Sequence, residues 1–359
     1  MTSEFSWSPV RRVGVLFLLV GLLLVSREPI VGRAPETLPA ALTNSEFWSL
    51  SERISEPDGF FRSNSGSTDN LLSNESSVSR VATELAERVR PSGVYLGVGP
   101  EQNFTYIAAI RPRIAFITDI RRGNLQLQLM YKALFEMSEN RADFVGRLFN
   151  RKRPAGLTSS SSATELMAAY LRLNAGDDAA FAANLKAITD HLTKVRGLPL
   201  SADDLAGIEY VYRSFSRFGP GINYTSSIGR PGGGITYAAL MSSRDATGAE
   251  RSYLASEGNF ALVKTMQGKN LIVPVVGDFA GPKALREIGV FLRERGALVT
   301  AFYVSNVENY LRDNGVWTKF CANVATLPVD MVSLFIRPEP AQFTTFGLIA
   351  RETAACGAK

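Results

Sequence analysis

The chain has 359 residues, 45% of them hydrophobic, which is enough for one large domain or two ordinary ones with a substantial core. Its net charge of +5 is spread over mixed signs, and the runs Arg111–Arg113, Arg121-Arg122 and Arg151–Arg153 are short, reading as solvated surface or linker, so no nucleic-acid interface is expected. Two cysteines and one histidine exclude a disulfide framework, a CxxC metal pair and a histidine-based zinc cluster; a single Cys321–Cys356 bridge stays open, and His191 reads as a surface residue of a polar helix.

The N-terminus carries Arg11-Arg12 and then the uncharged apolar run Val13–Val25. That run is shorter than the roughly 20 residues a membrane span needs, so it suits a signal peptide better. Basic residues before it place the remainder outside the cytoplasm. Residues 1–34 are therefore expected to be a signal peptide or membrane anchor, with membrane association through this end; an extended start on a cytoplasmic protein is the alternative. A linker and N-terminal loop occupy 35–77, with a short helix over Ser45–Arg53 and a polar loop over Ser55–Ser76 that is either functional or disordered.

Val78–Val89 has helical apolar spacing and stops before Pro91. Next come a short strand (Val94–Leu96), a turn (Gly97-Val98-Gly99), a helix, and a second apolar strand (Arg113–Thr118) ending in Asp119. This is the opening of a nucleotide-binding βαβ unit. Helices are expected over Leu125–Phe135 and Ala142–Phe149, with Leu125, Leu129, Leu134 and Phe135 as an apolar stripe. After the break Arg151–Ser162, helices are expected over Ala163–Leu173, Asp178–Val195 and Ser201–Phe215, the last capped by its serine. Gly219–Gly234 lacks the strand–turn–helix context of a phosphate loop and reads as a flexible connection. Strands return at Asn270–Val276 and Ala297–Val304, with helices over Pro282–Arg295 and Val307–Asn314. Met331–Ile336 and Thr344–Ala350 form a closing antiparallel pair. The expected fold is α/β: a doubly wound, mainly parallel sheet in a Rossmann-like domain over 78–150 and 255–352, split by a mainly helical insertion over 151–254.

In such a sheet ligands bind beyond the carboxyl ends of the strands, and four strand ends are polar or glycine-rich: Gly97–Asn103, Asp119–Arg121, Gly277–Phe279 and Ser305-Asn306. Gly97 and Gly99 permit a tight turn and close approach of a cofactor, or simply join strand to helix. Asp119, with Arg121 beside it, is either a bidentate acceptor for ribose hydroxyls or the partner of Arg121 or Arg122. Asp278 either faces a substrate or caps the following helix. Ser305, Asn306 and Glu308 orient a substrate or solvate a helix start. The stretch Asn70–Glu75, with Asn74 and Glu75, has the composition of a lid that hydrogen-bonds a polar ligand; disorder is the alternative.

The segments LGVGPEQN (Leu96–Asn103), TDIRRGN (Thr118–Asn124) and VVGDFAG (Val275–Gly281) resemble the class I S-adenosylmethionine-dependent methyltransferases. The resemblance covers Val78–Asn150 and Asn270–Ala350. It implies a seven-stranded sheet with an antiparallel last strand. It also implies that Gly97 and Gly99 lie against the methionine part of S-adenosylmethionine, Asp119 binds its ribose, and Asp278 faces the substrate. Two positions depart from the family: Tyr95 stands where an acid is common, and Glu101 replaces the third glycine, to contact the cofactor's amino group or to narrow the pocket. Asn103 closes the cofactor-binding stretch. The longer phrases GVGPEQNFTY, MYKALFE, VVGDFAGPKAL and FYVSNVE also resemble a group of bacterial proteins without an assigned activity.

The leading expectation is a methyltransferase-like protein acting on a small molecule or lipid, with Asp278 or Tyr303 orienting or deprotonating it. The alternative is a non-catalytic ligand-binding or interaction protein on the same fold, exported or anchored. A nicotinamide oxidoreductase shares the glycine turn and Asp119, but Gln102 stands in place of the third glycine of its fingerprint.

Overall fold

Strand β1 (Val94–Val98) pairs in parallel with β2 (Ile114–Asp119) on one side and β4 (Val299–Tyr303) on the other. Beyond β2 lies β3 (Ile272–Val276); beyond β4 lie β5 (Leu334–Pro338) and the antiparallel β6 (Thr344–Leu348). The six-stranded sheet thus runs β3-β2-β1-β4-β5-β6, an α/β fold with a mostly parallel sheet. The methyltransferase resemblance implies seven strands; six are formed among the described residues. This computed structural model describes residues 37–60, 69–226, 234–338 and 344–356. The apolar N-terminal run and part of the glycine stretch 219–234 lie outside the described residues.

The strands are near-continuous apolar runs because both sheet faces are covered. Registered neighbours Val273, Phe116, Leu96, Phe302 and Phe335 share one face. Against it lie α11 (Ala284–Arg293) and α13 (Trp317–Val324), which bring Phe291 to 5.7 Å from Phe116 and Phe320 to 6.3 Å from Phe335. Tyr95 and Tyr303 point to the other face, where α3 (Gln102–Ile110) sets Tyr106 edge-on to Tyr303 at 5.3 Å. There α4 (Arg122–Met137) is buried nearly all round, so the expected stripe of Leu125, Leu129, Leu134 and Phe135 is part of a helix enclosed by neighbours. Tyr131 and Phe135 of this helix interlock with Phe104, Phe144, Tyr253 and Phe260 in edge-on, tilted and stacked pairs, each worth about 0.5–1.5 kcal/mol beyond its buried area.

Among the described residues, the regular elements between β2 and β3 are helices packed on this second side, with no strand of the sheet among them. They are α4, α5 (Arg141–Leu148), α6 (Ala163–Leu171), α7 (Asp178–Asp190), α8 (Ala202–Phe218), α9 (Tyr237–Met241) and α10 (Glu257–Gly268). The expected helix over Asp178–Val195 ends in a π-helical turn, His191–Val195. Ser201 caps α8 as expected, accepting from the Asp204 amide at 3.1 Å. Burial opposes ionisation of Asp204, but the Arg122 guanidinium and the Ser201 hydroxyl outweigh it and bring the carboxyl to about 2. That pair ties α8 to the start of α4.

Two expectations about charged residues need correction. His191 is not a plain surface residue: its Nε2 lies 2.6 Å from Glu136 Oε2, in a cluster that also holds Arg196 and the buried Lys132. Arg151 is not solvated linker; it is half-buried and donates to the carbonyls of Phe149 and Leu173.

The edge strand β3 contains Pro274, which has no amide hydrogen and is tolerated where no ladder partner follows. Its outer side is covered by α1 (Asn44–Ile54) and the segment after it. Ser51 Oγ donates to the Pro274 carbonyl, the Glu56 amide to the Val276 carbonyl, and the Val276 amide to Ser55 Oγ. At the far end Cys321 and Cys356 form the bridge left open by the sequence, joining α13 to the end of α14 (Ile349–Ala355). The strand expected through Ala350 stops at Leu348, where that helix begins.

Candidate functional site

The chain order reverses between β1 and β4, and at the carboxyl ends of these strands lies a cleft of about 330 Å³. That volume and place are those of small-molecule sites in open parallel sheets. The cleft brings together Gly99, Asp119, Arg121, Asp278, Tyr303, Ser305, Asn306, Asn74 and Glu75 from the residues singled out in the sequence. Gly97, Glu101 and Asn103 do not line it.

The glycine turn explains that division. Gly99 adopts a left-handed φ of 77°, which suits a residue without Cβ. At Gly97 a Cβ would fall 2.0 Å from Asn103 Oδ1, so the glycine makes room for the asparagine rather than for a ligand. Asn103 accepts from the Tyr95 hydroxyl at 2.7 Å and donates to the Val98, Gly99 and Pro100 carbonyls. Its side chain is committed to holding the turn, which corrects the expectation that it meets a cofactor. Tyr95, standing where an acid is common, is the outer support of the same turn. Gln102 enters the cleft wall instead: its Nε2 donates to the Val98 carbonyl, while its Oε1 has no partner among the described residues.

Glu101, at the N-cap of α3, is fully buried and accepts from the Ser73 amide through both oxygens at 3.3 Å. Burial raises its carboxyl to about 8, and the nearby Glu75 adds to the rise. Asp119 is 5% exposed and accepts from the Arg121 amide at 3.0 Å and from its Nε at 3.3 Å. Arg122 turns away to Asp204.

Glu75 and the end of β4 form the most elaborate contact. Glu75 Oε1 accepts from the Tyr303 hydroxyl and from Ser305 Oγ, the latter at 2.7 Å. Burial raises the Glu75 carboxyl to about 7 against those two bonds, and burial also pushes the Tyr303 phenol well above its ordinary range. Tyr303 is therefore a donor to Glu75, not a base in its own right. Ser305 holds a left-handed φ of 51°, a strained conformation for a residue with a side chain, and the strain aims its hydroxyl at the carboxylate.

Asp278 lies on the rim with its Oδ1 accepting from the Ala280 amide at 2.8 Å. It does not cap α11. That role falls to Glu56, whose Oε1 accepts from the Lys283 and Ala284 amides and whose Oε2 accepts from the Asp278 amide. Asn306 is exposed on the rim, whereas Glu308 is committed to Arg337.

Residues 71–197 and 235–353 match the profile of a family described as Domain of unknown function (DUF7790). The chain belongs to this family. No curated protein matches it. The matched stretches carry most of the cleft wall, including Glu75, Gly99, Asp119, Asp278 and Tyr303, but not Phe60, Asn70 and Tyr224; Glu56, which holds the start of α11, also lies outside them.

Sequence reasoning missed Gln102, Tyr224, Tyr310 and Phe60 as cleft residues. Gln102 carries a local signal, since it follows the turn by the spacing of the third fingerprint glycine. The aromatic residues carry none; only the tertiary fold brings them to the rim. Among the described residues no cluster of three or more His, Cys, Asp or Glu side chains is arranged to hold a metal, and no helix is long and apolar enough to cross a membrane.

Proposed function

We propose that the cleft binds S-adenosylmethionine and that the protein is a methyltransferase-like enzyme acting on a small molecule. The observation that carries this reading is that the helix starts around the cleft are occupied by carboxyl groups. At α11 the first amides are taken by the Glu56 carboxylate, and α3 begins at the buried Glu101. Helix N-termini are where dinucleotide folds hold pyrophosphate, and here both carry acids. Arg121 is the one cation in the cleft lining among the described residues, and it bonds to Asp119. A cofactor without phosphate and with a positive sulfonium suits this lining; a nicotinamide dinucleotide does not.

The residues present fit such a cofactor. Asp119, held by the Arg121 amide at the end of β2, is placed to accept from ribose hydroxyls, with Gly99 offering close backbone approach beside the methionine part. Asp278, on the rim beyond β3, faces the substrate. The antiparallel last strand supports the methyltransferase resemblance, although six strands rather than seven are formed among the described residues. S-adenosylmethionine supplies an electrophilic methyl group when bound, so the protein's work is to position the acceptor and handle its proton.

Calorimetric titration of the full-length protein with S-adenosylmethionine, S-adenosylhomocysteine and NAD tests the reading. Binding of the first two, with at least a tenfold loss in Asp119→Ala, is expected. Binding of NAD alone, or of none, overturns it.

A second reading, an exported ligand-binding protein without turnover, is favoured by one observation, the Cys321–Cys356 bridge. Disulfides persist in oxidising compartments, where S-adenosylmethionine is not made. Fractionation of a tagged full-length chain, with thiol trapping of the two cysteines, separates the readings by compartment.

A further inference from the structure

Among the described residues two buried polar atoms of the cleft wall lack a partner, Glu75 Oε2 and Gln102 Oε1, and with Glu75 ionised both are acceptors. The Gln102 amide cannot simply be reversed, because its Nε2 donates to the Val98 carbonyl at 3.2 Å, and its side chain is 2% exposed. Oxygens desolvated in this way call for a donor from outside the chain. The charge of the wall points the same way. Glu75, Asp119 and Asp278 face the cleft, and among the described residues of its lining only the Asp119-bound Arg121 opposes them, although the whole chain is basic. Tyr224, Tyr303 and Tyr310 line the same cleft, and aromatic residues are surroundings in which organic cations are held.

We propose that the cleft takes an organic amine, its ammonium hydrogens accepted by Glu75 Oε2 and Gln102 Oε1, and that Glu75 removes its proton. The assignment of this amine as the methyl acceptor rests on the methyltransferase reading; the cation site itself does not. The division of labour within Glu75 follows from its contacts. Oε1 is engaged by two hydroxyl donors on the β4 end, Tyr303 and Ser305, so Oε2 is the basic oxygen. In the transfer, one N–H bond of the ammonium breaks, its electron pair stays on nitrogen, and an O–H bond forms at Oε2. Ammonium and carboxylate become neutral amine and carboxylic acid, leaving a nucleophilic lone pair.

Burial, which holds Glu75 near 7, makes this exchange accessible at neutral pH. The titratable groups that face it are Glu101 and the phenols Tyr95, Tyr106 and Tyr303, with Arg80 acting on Tyr106. The phenols stay protonated, and so does most of Glu101 at pH 7.

The test is calorimetry on the full-length protein with phenethylamine, 2-phenylethanol and 3-phenylpropionate, which share a skeleton and differ in charge. Phenethylamine is expected to bind at least tenfold tighter than either analogue. In buffers of differing ionisation heat its binding is expected to release about half a proton at pH 7, falling to about a tenth at pH 8. Glu75→Gln is expected to abolish both the preference and the release while S-adenosylhomocysteine binds within about threefold of wild type. Equal binding of the alcohol, absence of proton release, or survival of the amine preference in Glu75→Gln overturns the proposal. Should Glu75→Gln fail to fold, the wild-type probe series and proton release decide alone. Amine selectivity without S-adenosylhomocysteine binding upholds the cation site and overturns the cofactor reading instead.

Discussion

Replacing Glu101 by glutamine should stabilise the protein, and increasingly so as the pH rises. The buried carboxyl is lifted from 4.5 to about 8, so between those values the folded state holds a proton that the unfolded chain has released. Stability contributed by a group of this kind is complete below pH 4.5 and is lost as the pH climbs through 8. At about 1.36 kcal/mol per pH unit, the wild type should lose about 1 kcal/mol by pH 5, about 3 by pH 7 and nearly 5 by pH 9. Glutamine stays neutral throughout, and its carbonyl oxygen keeps the bond from the Ser73 amide. Urea unfolding followed by fluorescence of the three tryptophans, at pH 5, 7 and 9, reads the gap between wild type and Glu101→Gln. A gap that does not widen with pH, or a variant less stable than wild type at pH 9, would refute the reasoning: Glu101 would then be ionised in the fold and paired.

Two further substitutions probe the scaffold. Gly97→Ala places a methyl 2.0 Å from Asn103 Oδ1 and 2.8 Å from the Tyr95 ring, and neither side chain is free to move. A loss of about 1–3 kcal/mol is expected in the same urea assay, and an unchanged midpoint would show that the turn relaxes at no cost. Cys321→Ser with Cys356→Ser opens a bridge between residues 35 apart in sequence, with an expected loss of about 3–4 kcal/mol from the unfolded-state entropy. Scanning calorimetry checks this, and a melting temperature equal to wild type sinks it.

The fold was largely readable where its signal is local. Val94–Val98, Ile114–Asp119 and Ile272–Val276 are apolar runs closed by glycine or acid, and an enclosed parallel strand needs little else. Helices α10 and α13 went unread although each buries one face at helical spacing, Phe260, Val263, Met266 and Gln267 in the first and Phe320, Cys321, Asn323 and Val324 in the second; polar Gln267 and Asn323 on those faces dilute the apolar stripe. The site divides in the same way. Asp119 and Asp278 stand at strand ends, so their place on the rim follows from topology alone. Asn103 reads as a ligand but serves the turn, because side-chain direction within a helix depends on what surrounds it. Glu101 gave no sign of being sealed away, since its burial comes from Ser73 and the helices behind it. The Glu75–Tyr303–Ser305 contact joins positions some 230 apart, and nothing in either local sequence announces it.

Glu56 has a consequence for where this folding unit begins. Its carboxylate, from a segment ahead of the family-matched residues, closes the amides at 278, 283 and 284, while Ser55 and Glu56 seal the outside of β3. A fragment cut to the matched residues would keep the glycine turn, Asp119 and Glu75. It would also present a bare strand edge and an uncapped helix, an invitation to pair with a second copy. The natural unit therefore starts no later than the Thr43 cap of α1, and fragments trimmed to the matched residues should assemble with themselves rather than stay monomeric.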